Sequence, residues 1–307
     1  MTRLPSLAME VTSAFYGETL DLAGRPGAPK PGWAAMPECR AVARLTSAGA
    51  DGSTIRHFLT LVAALDRARD ADRLWKCAAD LYERDRWPFA PRELLTRGLP
   101  ALAVVLRSSG VSQRHSQDST AWHRIAESLD DPRSPTSVRA AIVEGEADAT
   151  ELLDAVVTKG PDGRARFPML AGPKVSRMWV RMLAAPGGAQ IRGIESIPVA
   201  VDVQVRKVTA YLGLARADGN CTDAKVRVTV QQAWQEDVRQ SGAVGPAGLE
   251  GTCAAVDPAV WFVGKWGCTF CERAGRRLPI AAFCDRCSFD GRAAGAAPRA
   301  GDGAPPG

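Results

Sequence analysis

Two sets of residues in this 307-residue chain have types and spacings suited to chemistry: an amine and a carboxylate 28 positions apart, and two pairs of cysteines further on. Lys174 lies in FPMLAGPKVSRMWVRML, Phe167 to Leu183, and Asp202 lies in SIPVAVDVQVRKVTAYLGLA. A neutral amine attacks electrophilic carbon, and a carboxylate stabilises a nearby cation or takes a proton from water. Partial burial among Arg177, Arg181 and apolar neighbours is expected to lower the pKa of Lys174. The cysteines read Cys268-x2-Cys271-x12-Cys284-x2-Cys287. In that pattern each pair grips one edge of a tetrahedral metal while the intervening loop folds back. Zinc is the expected metal in a reducing cytosol, with a [4Fe–4S] cluster as the alternative. Cys253 is expected to be a buried thiol or a spare ligand, and Cys39, Cys77 and Cys221 to be buried and inert.

Helices and turns must position these groups. Leu170-Ala171-Gly172-Pro173 reads as a short turn, with Gly172 relieving backbone crowding, followed by a helix over 174–185. The first amides of that helix lack internal partners and suit a phosphate. Lys174, Arg177 and Arg181 recur at three- and four-residue steps, predicting one basic edge, and Ser176 falls in the first turn. Val201, Val205, Val208 and Leu212 form the stripe of a second helix, over 202–214, with Asp202 at its N-terminus, where the dipole favours a carboxylate. Helical periodicity also marks 53–71, 72–84, 90–107, 119–129, 137–158 and 257–266. Lys225 to Val230 alternates like a short strand. PGAPKPG at 26–32 and PGG at 186–188 punctuate loops. In Ser288 to Gly307, fourteen of twenty residues are Ala, Gly or Pro, so 291–307 is expected to be a disordered tail.

Apolar residues make up 46% and charged residues 24%, which excludes a mostly disordered chain, a collagen-like fibre and a coiled-coil rod. The longest apolar run, Leu99 to Leu106, has eight residues, too few for a membrane span, and Glu10 and Glu18 interrupt any secretory leader. A cytoplasmic protein with no membrane partner is expected. The formal charge is only +5, but Arg164 to Arg216 holds nine basic residues against two acidic ones, a local excess that attracts phosphates. Arg273, Arg276 and Arg277, between the cysteine pairs, offer a second phosphate contact. Among Trp33, Trp122, Trp179, Trp261 and Trp266, the last stands beside the cysteines and is the preferred stacking platform for a base. Asp257 either caps the VDPAVW helix or reads a base. His57, His115 and His123 have neither metal nor triad spacing.

LAGPKVS followed by VDVQV resembles the helix-hairpin-helix DNA glycosylase superfamily, in which a hairpin ends in Gly-x-Lys and the next element carries an aspartate in a Val-Asp-x-x-Val context. The lysine-bearing hairpin looks most like the 8-oxoguanine glycosylase/lyases and endonuclease III, and VDPAVWFVGKWGC at 256–268 is similar to the C-terminal region of endonuclease III. The resemblance covers roughly residues 165–290. It implies a mainly α, two-lobed glycosylase-type fold with a C-terminal four-cysteine metal module. Residues 1–44 would pack on the C-terminal lobe, 45–185 would form a helical bundle ending in the hairpin, and 186–290 would carry the aspartate helix and the cysteines. It further implies Lys174 as nucleophile and Asp202 as catalytic carboxylate. DNA contacts would come from Leu170, Gly172, Lys174, Ser176, Arg177 and Arg181, and the base pocket from Trp266 and Asp257. The expected partner is double-stranded DNA with a damaged or modified base, bound by a monomer associated with the nucleoid. The enzyme would extrude and excise that base, with or without strand nicking. Alternatives are excision of hypermodified bases from phage DNA, a non-catalytic DNA-binding zinc protein, and an N-glycosidase of a free modified nucleoside or nucleotide.

Overall fold

The computed structural model describes residues 6–216, 219–220 and 222–289, and within them the chain is mainly helical. The expected tail at 291–307 and Cys221 lie outside the described residues. Helix α1 (Leu7–Tyr16) is followed by α2 (Pro37–Ser47), α3 (Gly52–Leu65), α4 (Ala71–Arg84), α5 (Pro91–Ser108) and α6 (His115–Asp130). Then come α7 (Thr136–Arg139), a π turn over 140–144, strand β1 (Glu146–Asp148) and α8 (Ala149–Val156). Helix α9 (Val175–Ala184), strand β2 (Gln190–Arg192), α10 (Val203–Tyr211) and α11 (Ala224–Ser241) lead to α12 (Cys253–Val263), a second π turn over 264–268 and α13 (Thr269–Ala274). One apolar core runs through the molecule, from Leu7 on α1 to Phe283 beyond α13. None of the described helices is long and apolar enough to cross a membrane.

Most starts are set by local side-chain caps that satisfy otherwise orphaned amides. Asp51 accepts from the Thr54 amide at α3, Asp70 from Arg73 at α4, Asp148 from Thr150 at α8, and Thr252 from Ala255 at α12. Long-range bonds then tie the ends of the chain together. The Tyr16 hydroxyl donates to the Ala255 carbonyl at 2.7 Å, the Ala8 amide to Asp237 at 2.6 Å, and the Asp21 amide to the Ile280 carbonyl at 2.8 Å. Helix α2 leans instead on α4, where Arg44 meets Glu83 at 2.6 Å and Asp80 at 2.8 Å.

Two sequence expectations fail for backbone reasons. The helix expected over 137–158 is broken, because Gly145 takes a left-handed conformation (φ 79°) that ends the π turn. Residues 146–148 then pair in parallel with 190–192. The strand expected at 225–230 lies inside α11, whose Val230, Trp234 and Val238 form a helical stripe in the core. Arg56 secures the strand pair from α3: its guanidinium donates to the carbonyls of Ile142, Val143 and Gly187 at 2.9–3.2 Å.

Candidate functional site

Helix α9 starts at the foot of the Leu170–Pro173 turn, with Lys174 at its N-cap. The relief expected of Gly172 is not needed: a β-carbon there would meet nothing nearer than 3.9 Å. Met169 takes the strained position instead, at φ 69°. Asp202 caps α10, its Oδ1 accepting from the amides of Gln204 at 2.8 Å and Val205 at 3.0 Å. The two groups meet: Lys174 Nζ lies 4.0 Å from Asp202 Oδ2, with 28% and 16% of the side chains exposed.

Behind this pair stands a deeper charged group. Arg181, two turns along α9 from Lys174, is 3% exposed. Its Nη2 donates to Glu38 Oε1 at 2.8 Å, and its Nε lies 3.3 Å from Asp257 Oδ2. Nη1 finds no acceptor among the described residues, and the guanidinium stacks over Trp33 at 5.7 Å. Asp257 Oδ1 accepts from the Ala200 amide at 3.2 Å.

Arg181 is therefore no phosphate contact on a basic edge; it is a buried counter-ion between two carboxylates. The physical reason is that α9 is enclosed on nearly every face, with Val175, Ser176, Met178, Trp179, Val180, Met182 and Leu183 all buried. The side chains of Leu170 and Ser176 are buried too, which leaves only their backbone for DNA. Arg177 is the half-exposed member, with its Nη1 donating to the Pro173 carbonyl at 2.6 Å. Burial and the nearby charge of Arg227 on α11 both lower its pKa.

The electrostatics also reverse one expectation. Burial pushes the Lys174 ammonium toward deprotonation, but the charges of Asp66, Asp202, Asp257 and Glu38 outweigh it, and the pKa rises above its ordinary value. Burial lifts the Asp257 carboxyl to about 6, helped by Asp202 and opposed by Arg181 and Lys174. Glu38 and Asp66 were not singled out in the sequence. Glu38 carried a readable signal, since it shares a three- and four-residue stripe with Ala41, Val42 and Leu45, where an acid on an apolar face demands a partner.

Trp266 sits on the cysteine side, 6.2 Å from Phe270 and 5.3 Å below Lys265 Nζ, which also covers Trp261 at 4.9 Å. Lys265 pairs with Asp72 of α4, which pairs in turn with Arg40. Trp33, under Arg181, is thus the tryptophan that meets the charged cluster.

Cys268, Cys271, Cys284 and Cys287 all line one narrow cavity of about 20 Å³, beside Leu278, Ile280 and Leu212. The Leu278 amide donates to Cys271 Sγ at 3.2 Å. Burial raises the Cys268 thiol pKa, and the neighbouring Cys287, Cys284 and Cys271 add to the rise. Four thiols around one cavity fit zinc by donor chemistry. As placed, no three His, Cys, Asp or Glu side chains among the described residues converge tightly enough to grip an ion. Cys39 and Cys253 are buried in the core, and Cys77 is half-buried.

The module presses on the aspartate helix. Gly264 abuts Gln204, where an added β-carbon would fall 2.7 Å from the Gln204 β-carbon. Thr269 Oγ1 donates to Gln204 Oε1 at 3.3 Å, and Lys207 Nζ reaches Thr269 at 3.0 Å and Glu272 at 2.6 Å. The Tyr211 hydroxyl donates to Glu272 at 2.7 Å. Comparison of the chain with protein-family models, with curated proteins and with solved structures finds no match.

Proposed function

We propose that the protein is a DNA N-glycosylase with abasic-site lyase chemistry, excising a modified base from duplex DNA. The observation that carries the reading is the 4.0 Å approach of Lys174 Nζ to Asp202 Oδ2 from two separate helix starts. The target nucleotide is extruded from the duplex, at a cost of roughly a few kcal/mol in lost stacking. Asp202, held through Oδ1 by two amides, turns Oδ2 toward Lys174 and stabilises positive charge developing on the sugar.

The raised pKa of Lys174 means that the resting side chain is an ammonium. It becomes a nucleophile only by giving up that proton, which the departing base accepts as the C1′–N bond breaks and the bonding pair leaves with the base. The amine freed by that transfer then adds to C1′; the C1′–O4′ bond breaks, a proton passes from the nitrogen to O4′, and the opened sugar is left as a Schiff base that permits β-elimination and a strand nick. A second reading is favoured by the same pKa: Lys174 keeps its proton and Asp202 activates water, giving base release without nicking. Zinc bound to Cys268, Cys271, Cys284 and Cys287 would fix the fold of the module, with a [4Fe–4S] cluster as the alternative occupant. Oxidised guanine and hypermodified phage bases are both substrates to test, as repair and defence respectively.

The deciding experiment incubates the protein and borohydride with duplexes carrying single modified bases and with a duplex carrying a preformed abasic site. A covalent complex is expected with the wild type and none with Lys174→Gln. Base release without trapping assigns the water mechanism. Salt-sensitive binding with no abasic product on any duplex or modified phage genome defeats the enzyme reading. Release only from free nucleosides replaces it with a nucleosidase.

A further inference from the structure

One face of α10 is given over to the cysteine module. Gln204, Lys207 and Tyr211 stand at three- and four-residue steps, so they share a side of the helix. Each is engaged by a residue of the 264–289 segment. Gln204 meets Gly264 and Thr269, Lys207 meets Thr269 and Glu272, and Tyr211 meets Glu272 through its hydroxyl. The Ser288 amide, next to Cys287, donates to the Tyr211 carbonyl at 2.7 Å, and Phe289 lies 5.2 Å from the Tyr211 ring. Leu212, just past the helix, lines the cavity shared by the four thiols. Glu272 follows Cys271 directly and receives both the Lys207 ammonium and the Tyr211 hydroxyl, so a displacement of that cysteine reaches α10 through one carboxylate.

Asp202 caps the same helix. Its Oδ1 is fixed only relative to the first amides of α10, so the aim of Oδ2 at Lys174 follows wherever that helix points. The contact between α10 and the hairpin helix at this point is the Lys174–Asp202 pair itself, which spans 4.0 Å and holds no short hydrogen bond. Trp234 of α11 donates to Thr209 Oγ1 at 2.8 Å and α12 packs along α10, and the module supplies the reference on the remaining face.

We infer that the cysteine module is a positioning element for Asp202, holding one face of α10, with Glu272, Lys207 and Tyr211 as positioning residues that transmit the closed state of the four thiols to that helix. The activity part of this inference rests on the glycosylase reading; the structural part does not.

The test uses the full-length zinc-loaded protein, hydrogen exchange across 203–211 and zinc content by elemental analysis. Glu272→Ala is expected to raise exchange in α10 at least tenfold while zinc stays bound. Chelation of zinc from the wild type should raise it by as much or more. Lys207→Met, which removes one of the two donors to Glu272, should give a smaller rise and add little on top of Glu272→Ala. Once a substrate is in hand, Glu272→Ala should slow base release about tenfold with DNA affinity unchanged and with borohydride trapping at a preformed abasic site within twofold of wild type. That last reaction needs the Lys174 amine but no glycosidic cleavage. Glu272→Gln, which keeps a hydrogen-bond acceptor for Tyr211, should recover part of the loss.

Unchanged α10 exchange in zinc-bound Glu272→Ala overturns the inference, as does a purified protein that binds no metal. If α10 loosens as expected but the wild type cuts no substrate, the glycosylase reading fails and the mechanical link stands. Equal losses of base release and abasic-site trapping would reduce Glu272 to a general stabiliser.

Discussion

The charged cluster and the cysteine module are assembled in opposite ways. In the cluster, Glu38, Asp66, Lys174, Arg181, Asp202 and Asp257 come from five helices or their caps, spread over most of the chain, and only the packing of α2, α3, α9, α10 and α12 brings them together. In the module, four thiols lie between positions 268 and 287 and need little more than one turn of helix and one loop to face a common cavity. A site of the first kind stands or falls with the whole fold, because separating its helices strands several charges in a poorly solvated interior. A site of the second kind is a local unit, which a metal bound by its thiols would stabilise directly. The difference teaches that a tightly packed side chain can still take its aim from the helix it caps, as Asp202 does.

The sharpest way to break this contrast is Asp202→Asn. It keeps a side-chain oxygen to cap α10 and removes the charge, so base release is expected to fall on the order of 10²-fold or more. DNA binding and zinc content should stay at wild-type levels. A fully active variant would remove Asp202 from the chemistry.

Glu38→Gln probes the cluster as a fold element. Arg181 would then face a single carboxylate, and loss of one partner from a buried ionic group costs about 3–5 kcal/mol. Urea denaturation should show that loss in the midpoint, with zinc content again unchanged. A change within error would mean that the Glu38–Arg181 pair contributes little and that Asp257 suffices.

The subtlest contrast is in pH. Burial holds the Asp257 carboxyl at about 6, against 3.8 ordinarily, so the folded protein binds this proton more tightly than the unfolded chain. Stability from this group is therefore full below pH ~4 and is lost as pH rises to about 6. Asp257→Asn should remove that slope, and the difference between wild type and variant should be flat above pH ~6. Wild-type stability that instead rose relative to the variant between pH ~4 and ~6 would reverse the assigned sign.

How much of this was readable beforehand follows from the same contrast. The cysteine spacing is local, and so is its meaning. Lys174 and Asp202 were legible because each opens a helix in a patterned stretch, and the sequence places both at the correct helix starts. Arg181 was misjudged as a surface charge, since its three- and four-residue spacing from Arg177 and Lys174 does not reveal that α9 is covered on that side. The direction of the Lys174 pKa was misread for a related reason. Arg177 and Arg181 are near in sequence, whereas Asp66 and Glu38 are near only in space. The strand expected at 225–230 shows the limit of short windows: KVRVTV alternates over six residues, but Trp234 and Val238 extend it into a helical stripe.

The glycine at 264 carries one more lesson. It has no functional group, yet it touches the backbone of the helix that Asp202 caps. A single methyl there would have to lift α10 away or bend the π turn, and Asp202 would tilt with it. A mutational survey scored by hydrogen exchange in α10 would then mark a glycine outside that helix, and any redesign would have to treat 204 and 264 as one position.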